Sequence, residues 1–348
     1  MLASEQNTEP KTAPAGRDPV LSLVELRTSF DTFDGTVRAV DRVSYDIAPR
    51  EMLGLVGESG CGKSLTALSI MGLVPTPPGR VEGSIRLNGR ELVGLEEKEM
   101  RKLRGSEISM IFQEPMTSLD PVMRIGKQIV EPLVQHQGLS GPEARARAKD
   151  MLDRVRIPEA TRRLDEYAHQ LSGGMRQRIM IAMALVCRPA VLIADEPTTA
   201  LDVTIQAQVL RLIRDLQTEM NTSVLLITHD LGVIAESVDR VIVMYAGRKV
   251  EEAPVSLLFR RPQHPYTVGL LGSVPKVNRA GRPAKGRLLE IPGIVPALNQ
   301  PIRGCRFAPR CRLATDRCRA EEPPFETKAP GHSAACWHSD KAMEIAGE

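Results

Sequence analysis

At 348 residues, 38.2 kDa and 42% hydrophobic content, the chain can bury one large core and still carry a smaller appendage. A formal net charge of +3 and 3% aromatic residues give neither the charge excess nor the base-stacking surface of a nucleic-acid binder. Apolar runs such as VLIAD and VLLIT are strand-sized, far short of the roughly 18–20 consecutive apolar residues of a membrane span. Residues 1–19 mix charges with Pro, Ala and Gly and lack the apolar centre of a secretory signal, so they read as a disordered lead-in to a cytosolic chain. From about residue 20 to 250, short apolar runs alternate with helix-like segments, the pattern of a parallel sheet covered by helices. The predicted strands are MLGLVG, ISMIFQ, VLIAD, VLLIT and VIVMY, rich in Val, Ile and Leu as strands buried on both faces are. Ser140 followed by Glu143 has the form of a capping box, opening a helix with Ala148, Leu152 and Val155 on one side. In IQAQVLRLIRDLQ, the spacing of Ile205, Val209, Leu212 and Leu216 predicts a second amphipathic helix. Beyond residue 250 Pro and Gly become frequent, which predicts an extended, loop-rich appendage.

GLVGESGCGKS runs from a predicted strand through a glycine-rich turn into a helix expected near Lys63. Gly57, Gly60, Gly62, Lys63 and Ser64 fill the pattern G-x-x-x-x-G-K-[ST], with Ser59 inside the loop. Such a P-loop turns backbone N–H groups onto a phosphate, adds the positive end of the next helix, reaches the outer phosphates with lysine and offers a hydroxyl to Mg²⁺. VLIADEP then delivers Asp195 and Glu196 at a strand's C-terminal end, where ligands bind in open α/β sheets. Asp195 is expected to help hold magnesium, and Glu196 to orient or deprotonate the attacking water.

HQLSGGMRQR places Ser172, Gly173 and Gly174 before a helix whose Ile179, Ala182, Met183 and Val186 face the core. A serine-led helix N-terminus is a phosphate-binding device, so one chain carries two phosphate sites. Two subunits paired head to tail would use both, each signature helix closing over the nucleotide on the other's P-loop. With these motifs in this order, the chain resembles the ATPase subunits of ABC transporters from residue 20 to about 340. The resemblance implies an α/β P-loop NTPase of ABC type over 20–255, with a helical signature subdomain at about 114–185. A C-terminal extension over 256–340 and a tail at 341–348 would follow. It also implies roles for further residues. Gln113 of IFQEP matches the glutamine that touches magnesium and water and borders the membrane subunits. Asp202, ending ALD, matches the loop that crosses the dimer interface. His229 of LLITHD matches the histidine that contacts the γ-phosphate, and Phe30 the aromatic on which adenine stacks. Met175 departs from the Gln that many members carry in the signature.

MIFQEPMTSLDP, IADEPTTALDVTIQAQ, ITHDLGVIAE and HPYT are similar to the dipeptide/oligopeptide importer ATPases, whose relatives also carry nickel complexes. The resemblance implies ATP and Mg²⁺ as ligands, a second, similar ATPase subunit, two membrane permeases and an external peptide-binding protein, on the cytoplasmic face of the inner or plasma membrane. A soluble ABC protein acting on nucleic acid or ribosomes would need two cassettes or a coiled-coil insert, and the chain has one P-loop and one signature. An exporter subunit would lack the extension. Cys305, Cys311, Cys318 and Cys336 have little prospect of disulfides in a reducing cytosol. Their spacing suits zinc poorly, and their Arg-rich surroundings suit an iron–sulfur cluster better. Some peptide-importer ATPases carry a 4Fe–4S cluster at similar positions, so a cluster is the expectation, with zinc and unligated thiols as alternatives. Cys61 and Cys187 read as packing residues.

Overall fold

The computed structural model describes residues 18–113, 119–198, 202–273, 291–300 and 302–347. Most of the lead-in, the start of the signature subdomain at 114–118 and the first two residues of ALD lie outside them. β1 (Leu21–Thr32) and β2 (Gly35–Ile47) form a long antiparallel hairpin. β3 (Met52–Val56) leads through the glycine-rich loop into α1 (Lys63–Ile70). β4 (Gly79–Leu87) and β5 (Arg90–Glu91) complete an antiparallel sheet in the order β2-β1-β4-β5, and α2 (Glu97–Leu103) precedes β6 (Ile108–Ile111). A helical stretch holds α3 (Ile125–Gln137), α4 (Gly141–Arg154), the single turn α5 (Ala160–Arg163) and α6 (Gly173–Leu185). β7 (Val191–Asp195), α7 (Val203–Met220), β8 (Ser223–Thr228), α8 (Leu231–Ser237) and β9 (Arg240–Tyr245) follow. Last come β10 (Arg248–Pro254), α9 (Val255–Arg260), α10 (Pro265–Gly272), α11 (Asp316–Ala320), β11 (Glu326–Ala329) and β12 (His332–Ala334).

The main sheet runs β11-β12-β10-β9-β3-β8-β7-β6, with its centre from β9 to β6 parallel. Its side chains alternate between two cores, as the two-residue period of a strand requires. Val56, Ala194, Leu226 and Val243 face the helical layer of α3, α4, α6 and α7. Leu55, Ile193, Ile227 and Ile242 face α1 and the antiparallel sheet. Fully buried strands force the P-loop, Asp195 and His229 out at one edge, since each follows the C-terminal end of a parallel strand. The five strands read from the sequence are all present. So are the two helices: Ser140 donates its backbone N–H to the Glu143 carboxylate at 3.1 Å, and Ala148, Leu152 and Val155 are fully buried. Val209, Leu212 and Leu216 are buried as their spacing predicts.

β1, β2 and β4 were not legible in the sequence. Glu25, at φ +50°, sits where the register shifts between Leu23 and Leu26, and that bulge breaks the alternation that marks a half-buried strand. The extension is also less separate than its composition suggests, because β12 pairs with β10 and continues the main sheet.

Candidate functional site

Gly57 has φ +153°, and a Cβ there would strike the Met244 carbonyl; Gly62, at φ +100°, would strike the Ala39 carbonyl. Both positions therefore require glycine, which holds the loop against β9 and β2. Lys63 is buried and folds back, its Nζ donating to the carbonyls of Gly57 at 2.8 Å and Glu58 at 3.0 Å. It thus occupies the loop with an ammonium where phosphate oxygens would otherwise take those bonds. The Ser64 hydroxyl donates to Asp195 Oδ1 at 3.1 Å. Burial lifts the Asp195 carboxyl above the usual carboxylate range; the neighbouring Glu196 adds to the rise, while Ser64 and Lys63 oppose it.

Glu196 adopts φ +46°, a left-handed conformation that costs a non-glycine residue about 1–3 kcal/mol. Its N–H donates to the Ile227 carbonyl at 2.9 Å, which pins the turn to β8. That turn aims the carboxylate between two predicted partners. Gln113 Nε2 donates to Oε2 at 3.1 Å, and His229 Nδ1 lies 3.1 Å from Oε1. Gln113, Glu196 and His229, which come from three separate strands, form one hydrogen-bonded set beside the Ser64–Asp195 pair.

Ser172 caps α6, its hydroxyl accepting from the Met175 N–H at 3.4 Å, and Gly173 leaves that end open. The fully buried Gln177 holds α6 by donating to the Pro197 carbonyl just after Glu196. Among the described residues, no hydrogen bond joins Ser172 to the P-loop of its own chain. Asp202 stands exposed as the N-terminal cap of α7. Phe30 is half-buried on β1, opposite Val37 and Gly79, and makes no polar contact with the loop.

Residues 40–199 match the ABC transporter family, and residues 250–318 match the oligopeptide/dipeptide transporter C-terminal region. The probable peptide ABC transporter ATP-binding protein y4tR of Sinorhizobium fredii is 54% identical over 94% of this chain and 97% of its own length. The chain belongs to the ABC transporter ATPases. The oligopeptide transport ATP-binding protein OppD of Escherichia coli is 49% identical, over 92% of this chain and 93% of its own. Among solved structures, the ATP-binding cassette MJ0796, a dimer bound to ADP and phosphate, aligns with TM-score 0.60 and 28% identity. The alignment covers 68% of this chain and 98% of that one. This ABC ATPase thus hydrolyses ATP, and among its described residues no helix is long and apolar enough to cross a membrane.

The extension reaches the nucleotide site through residues that no motif marks. Arg310, 5% exposed, forks onto the P-loop's Glu58 with Nη1–Oε2 at 2.6 Å and Nη2–Oε1 at 3.0 Å. It also donates to the carbonyls of Pro292 and Ile291, and the Tyr266 hydroxyl accepts the Glu58 N–H at 2.8 Å. Tyr266 belongs to HPYT, but Glu58 and Arg310 are 252 positions apart and nothing in either neighbourhood announces the pair.

The expected metal site at the cysteines is not supported. Cys305, Cys311, Cys318 and Cys336 line one narrow cavity. Among the described residues, however, no group of three or more His, Cys, Asp or Glu side chains is disposed to hold a metal. Two of the cations meant to favour a negative cluster are engaged elsewhere, Arg310 on Glu58 and Arg306 on Asp41, while Arg317 lies over the Trp337 ring at 3.5 Å. Phe307, Leu313 and Trp337 wall the cavity instead, and burial pushes the Cys311 thiol up to about 11 and Cys336 to about 12. No metal or cluster is assigned to the four cysteines. Cys61 and Cys187 are buried as expected.

Proposed function

We propose that the chain powers peptide import, working on the cytoplasmic face of the membrane beside a second ATPase subunit and two permeases supplied by an external peptide-binding protein. The match to the oligopeptide/dipeptide C-terminal region and relatives named as peptide transport proteins support this cargo. A shared dimeric fold supports pairing.

The observation that carries the mechanism is the Glu196 carboxylate held between Gln113 and His229. Each of its oxygens meets one of these partners, which fixes the direction of the carboxylate. Lys63 is likewise spent on loop carbonyls. Incoming ATP would take over the Lys63 bonds with its outer phosphates and draw His229 onto the γ-phosphate. Glu196 Oε1 would then be free to orient the attacking water and accept its proton. The half-buried Ser64 hydroxyl and the buried Asp195 carboxylate are hard oxygen donors suited to Mg²⁺, with Gln113 close by. That ion supplies charge neutralisation to the phosphates. Phe30 would stack the adenine. Ser172, Gly173 and Gly174 of the opposing subunit would close over the γ-phosphate, with Asp202 crossing between subunits. On this reading residues 20–255 form the ATPase unit, and 256–340 an extension that braces it.

Glu196→Gln should retain ATP binding and lower turnover roughly 10²- to 10⁴-fold. Wild-type turnover in that variant would remove Glu196 from the reaction. For cargo, the chain reconstituted with its permeases should hydrolyse ATP faster when peptide-loaded binding protein is added, and recovery with RNA in place of permeases would replace the import reading.

A further inference from the structure

A second cavity lies between β2, the β9–β10 turn and the extension, with a volume of about 490 Å³. None of Gly57, Gly60, Gly62, Lys63, Ser64, Asp195 or Phe30 lines it. Charge there is unbalanced. Asp41, whose side chain is 8% exposed, faces four guanidinium groups: Arg248 at 3.1 Å, Arg27 at 3.8 Å, Arg42 at 3.9 Å, and Arg306 in direct contact. Among the residues lining the cavity, Glu322 is the other carboxylate paired with them, reaching Arg42 at 2.9 Å and Arg248 at 3.1 Å, while Glu25, outside the lining, lies 3.5 Å from the exposed Arg27. Arg38 and Glu82 also line the cavity and cancel one another in charge. Within the lining, four cations therefore share two anions, with Glu25 offsetting Arg27 from outside.

Arg27 and Arg42 are about two-fifths exposed, and water screens their excess; Arg248 and Arg306 are only 16% and 14% exposed. Arg248 Nε is buried and has no hydrogen-bond partner. Burial holds the Arg248 guanidinium below its ordinary pKa, and the Arg306 and Arg42 charges push the same way. A buried donor left unmade beside surplus like charge is costly unless an anion completes it.

We propose that this cavity binds the dianionic phosphoryl group of a small metabolite, distinct from the nucleotide on the P-loop. Planar guanidinium forks match phosphate oxygens, and a dianion matches a lining of five arginines against three carboxylates. The volume exceeds what a bare phosphate needs and falls within the usual range of small-molecule pockets. Leu298, Ile302 and Gln300 supply an apolar and amide wall for an organic body. The site also shares backbone with the nucleotide loop. Arg38 and Asp41 flank Ala39, whose carbonyl packs against Gly62. Asp41 donates its N–H to the Gly247 carbonyl at 2.9 Å, and Gly247 donates its own to the Cys61 carbonyl at 3.0 Å. Occupancy would therefore stiffen the back of the P-loop and alter ATP affinity.

The test is thermal melting and calorimetry of the full-length chain titrated with inorganic phosphate and ribose 5-phosphate, against chloride at equal ionic strength. Lys63→Ala serves to disable anion binding at the P-loop. A saturable rise in melting temperature in both wild type and Lys63→Ala is expected, with ribose 5-phosphate binding more tightly than phosphate. Affinity should fall roughly tenfold in Arg248→Met. Arg42→Gln, at a more exposed position that tolerates change, should weaken binding in the same direction should Arg248→Met fail to fold. A rise that does not saturate, one lost in Lys63→Ala, or one unchanged in Arg42→Gln would each overturn the site.

Discussion

Glu196 was legible in the sequence because it follows an apolar run that reads as a buried strand, whereas Gln113 and His229 were marked only by the resemblance to a family. Strand ends in a parallel sheet gather at one edge, so chemistry scattered over more than a hundred positions converges there. The cysteines failed as a metal site for a physical reason of the opposite kind. Sequence puts arginines beside them, but a long side chain goes to whichever carboxylate is nearest in space, and Arg306 and Arg310 find Asp41 and Glu58. What remains at Cys311 and Cys336 is a pair of thiols that burial holds in the protonated form. Because only the thiolate attacks electrophiles, a thiol raised from near 9 to about 12 holds about a thousandfold less thiolate at pH 8. Cys336 should therefore react with a maleimide about a thousandfold more slowly in the native chain than after unfolding, and Cys311 about a hundredfold more slowly. Mass spectrometry of timed labelling checks this. Native labelling of Cys336 at the unfolded rate would mean that the cavity is open or that the thiols are ionised.

At the scale of elements, the strands β3, β6, β7, β8 and β9 were legible because burial on both faces leaves continuous apolar runs. β1, β2 and β4 pack on one face only and carry bulges, so their pattern never settles into a clean period of two. The tie between the extension and the P-loop was hidden altogether, being a contact between Arg310, in a short 3₁₀ turn, and the loop after β3. Its energetics can be tested directly. Glu58 is 29% exposed, so the pair gains less than a fully buried one, whereas Arg310 also satisfies two carbonyls. Arg310→Met should cost about 2–3 kcal/mol in denaturant unfolding. Glu58→Gln should cost about 1 kcal/mol, and the double variant less than the sum by about 1 kcal/mol. Arg310→Met should also raise the KM for ATP more than it lowers kcat, because the loop loses its brace and the Glu196 set does not. Strict additivity in the cycle would show the contact to be energetically idle.

At the scale of the molecule, the two phosphate-binding ends of the proposed mechanism impose a constraint that one chain cannot satisfy. α6 is held from below by Gln177 on the Pro197 carbonyl, and beyond the adjoining residues and helix backbone no atom of the described residues comes within 4 Å of where a Cβ at Gly173 would stand, beside Ser172 at the tip. The P-loop is fixed equally firmly, against β9 and β2 on one side and by Arg310 on the other. Both sites are thus rigid parts of a packed body, and a hinge large enough to bring them together would have to break the cores on either side of the sheet. A second subunit resolves this without internal motion, because a two-fold arrangement lets each signature helix cover the other's nucleotide. The consequence is that ATP should act as part of the interface. Glu196→Gln, which holds ATP uncleaved, should form dimers on light scattering with ATP and Mg²⁺ and revert to monomers with ADP. Adding Ser172→Arg should return it to monomers in both nucleotides while ATP still binds the P-loop. The bulky cation would block the helix tip but leave Lys63 and Ser64 untouched. Dimers that persist in the Ser172→Arg background, or that form equally well with ADP, would place the subunit contact elsewhere and detach it from the γ-phosphate.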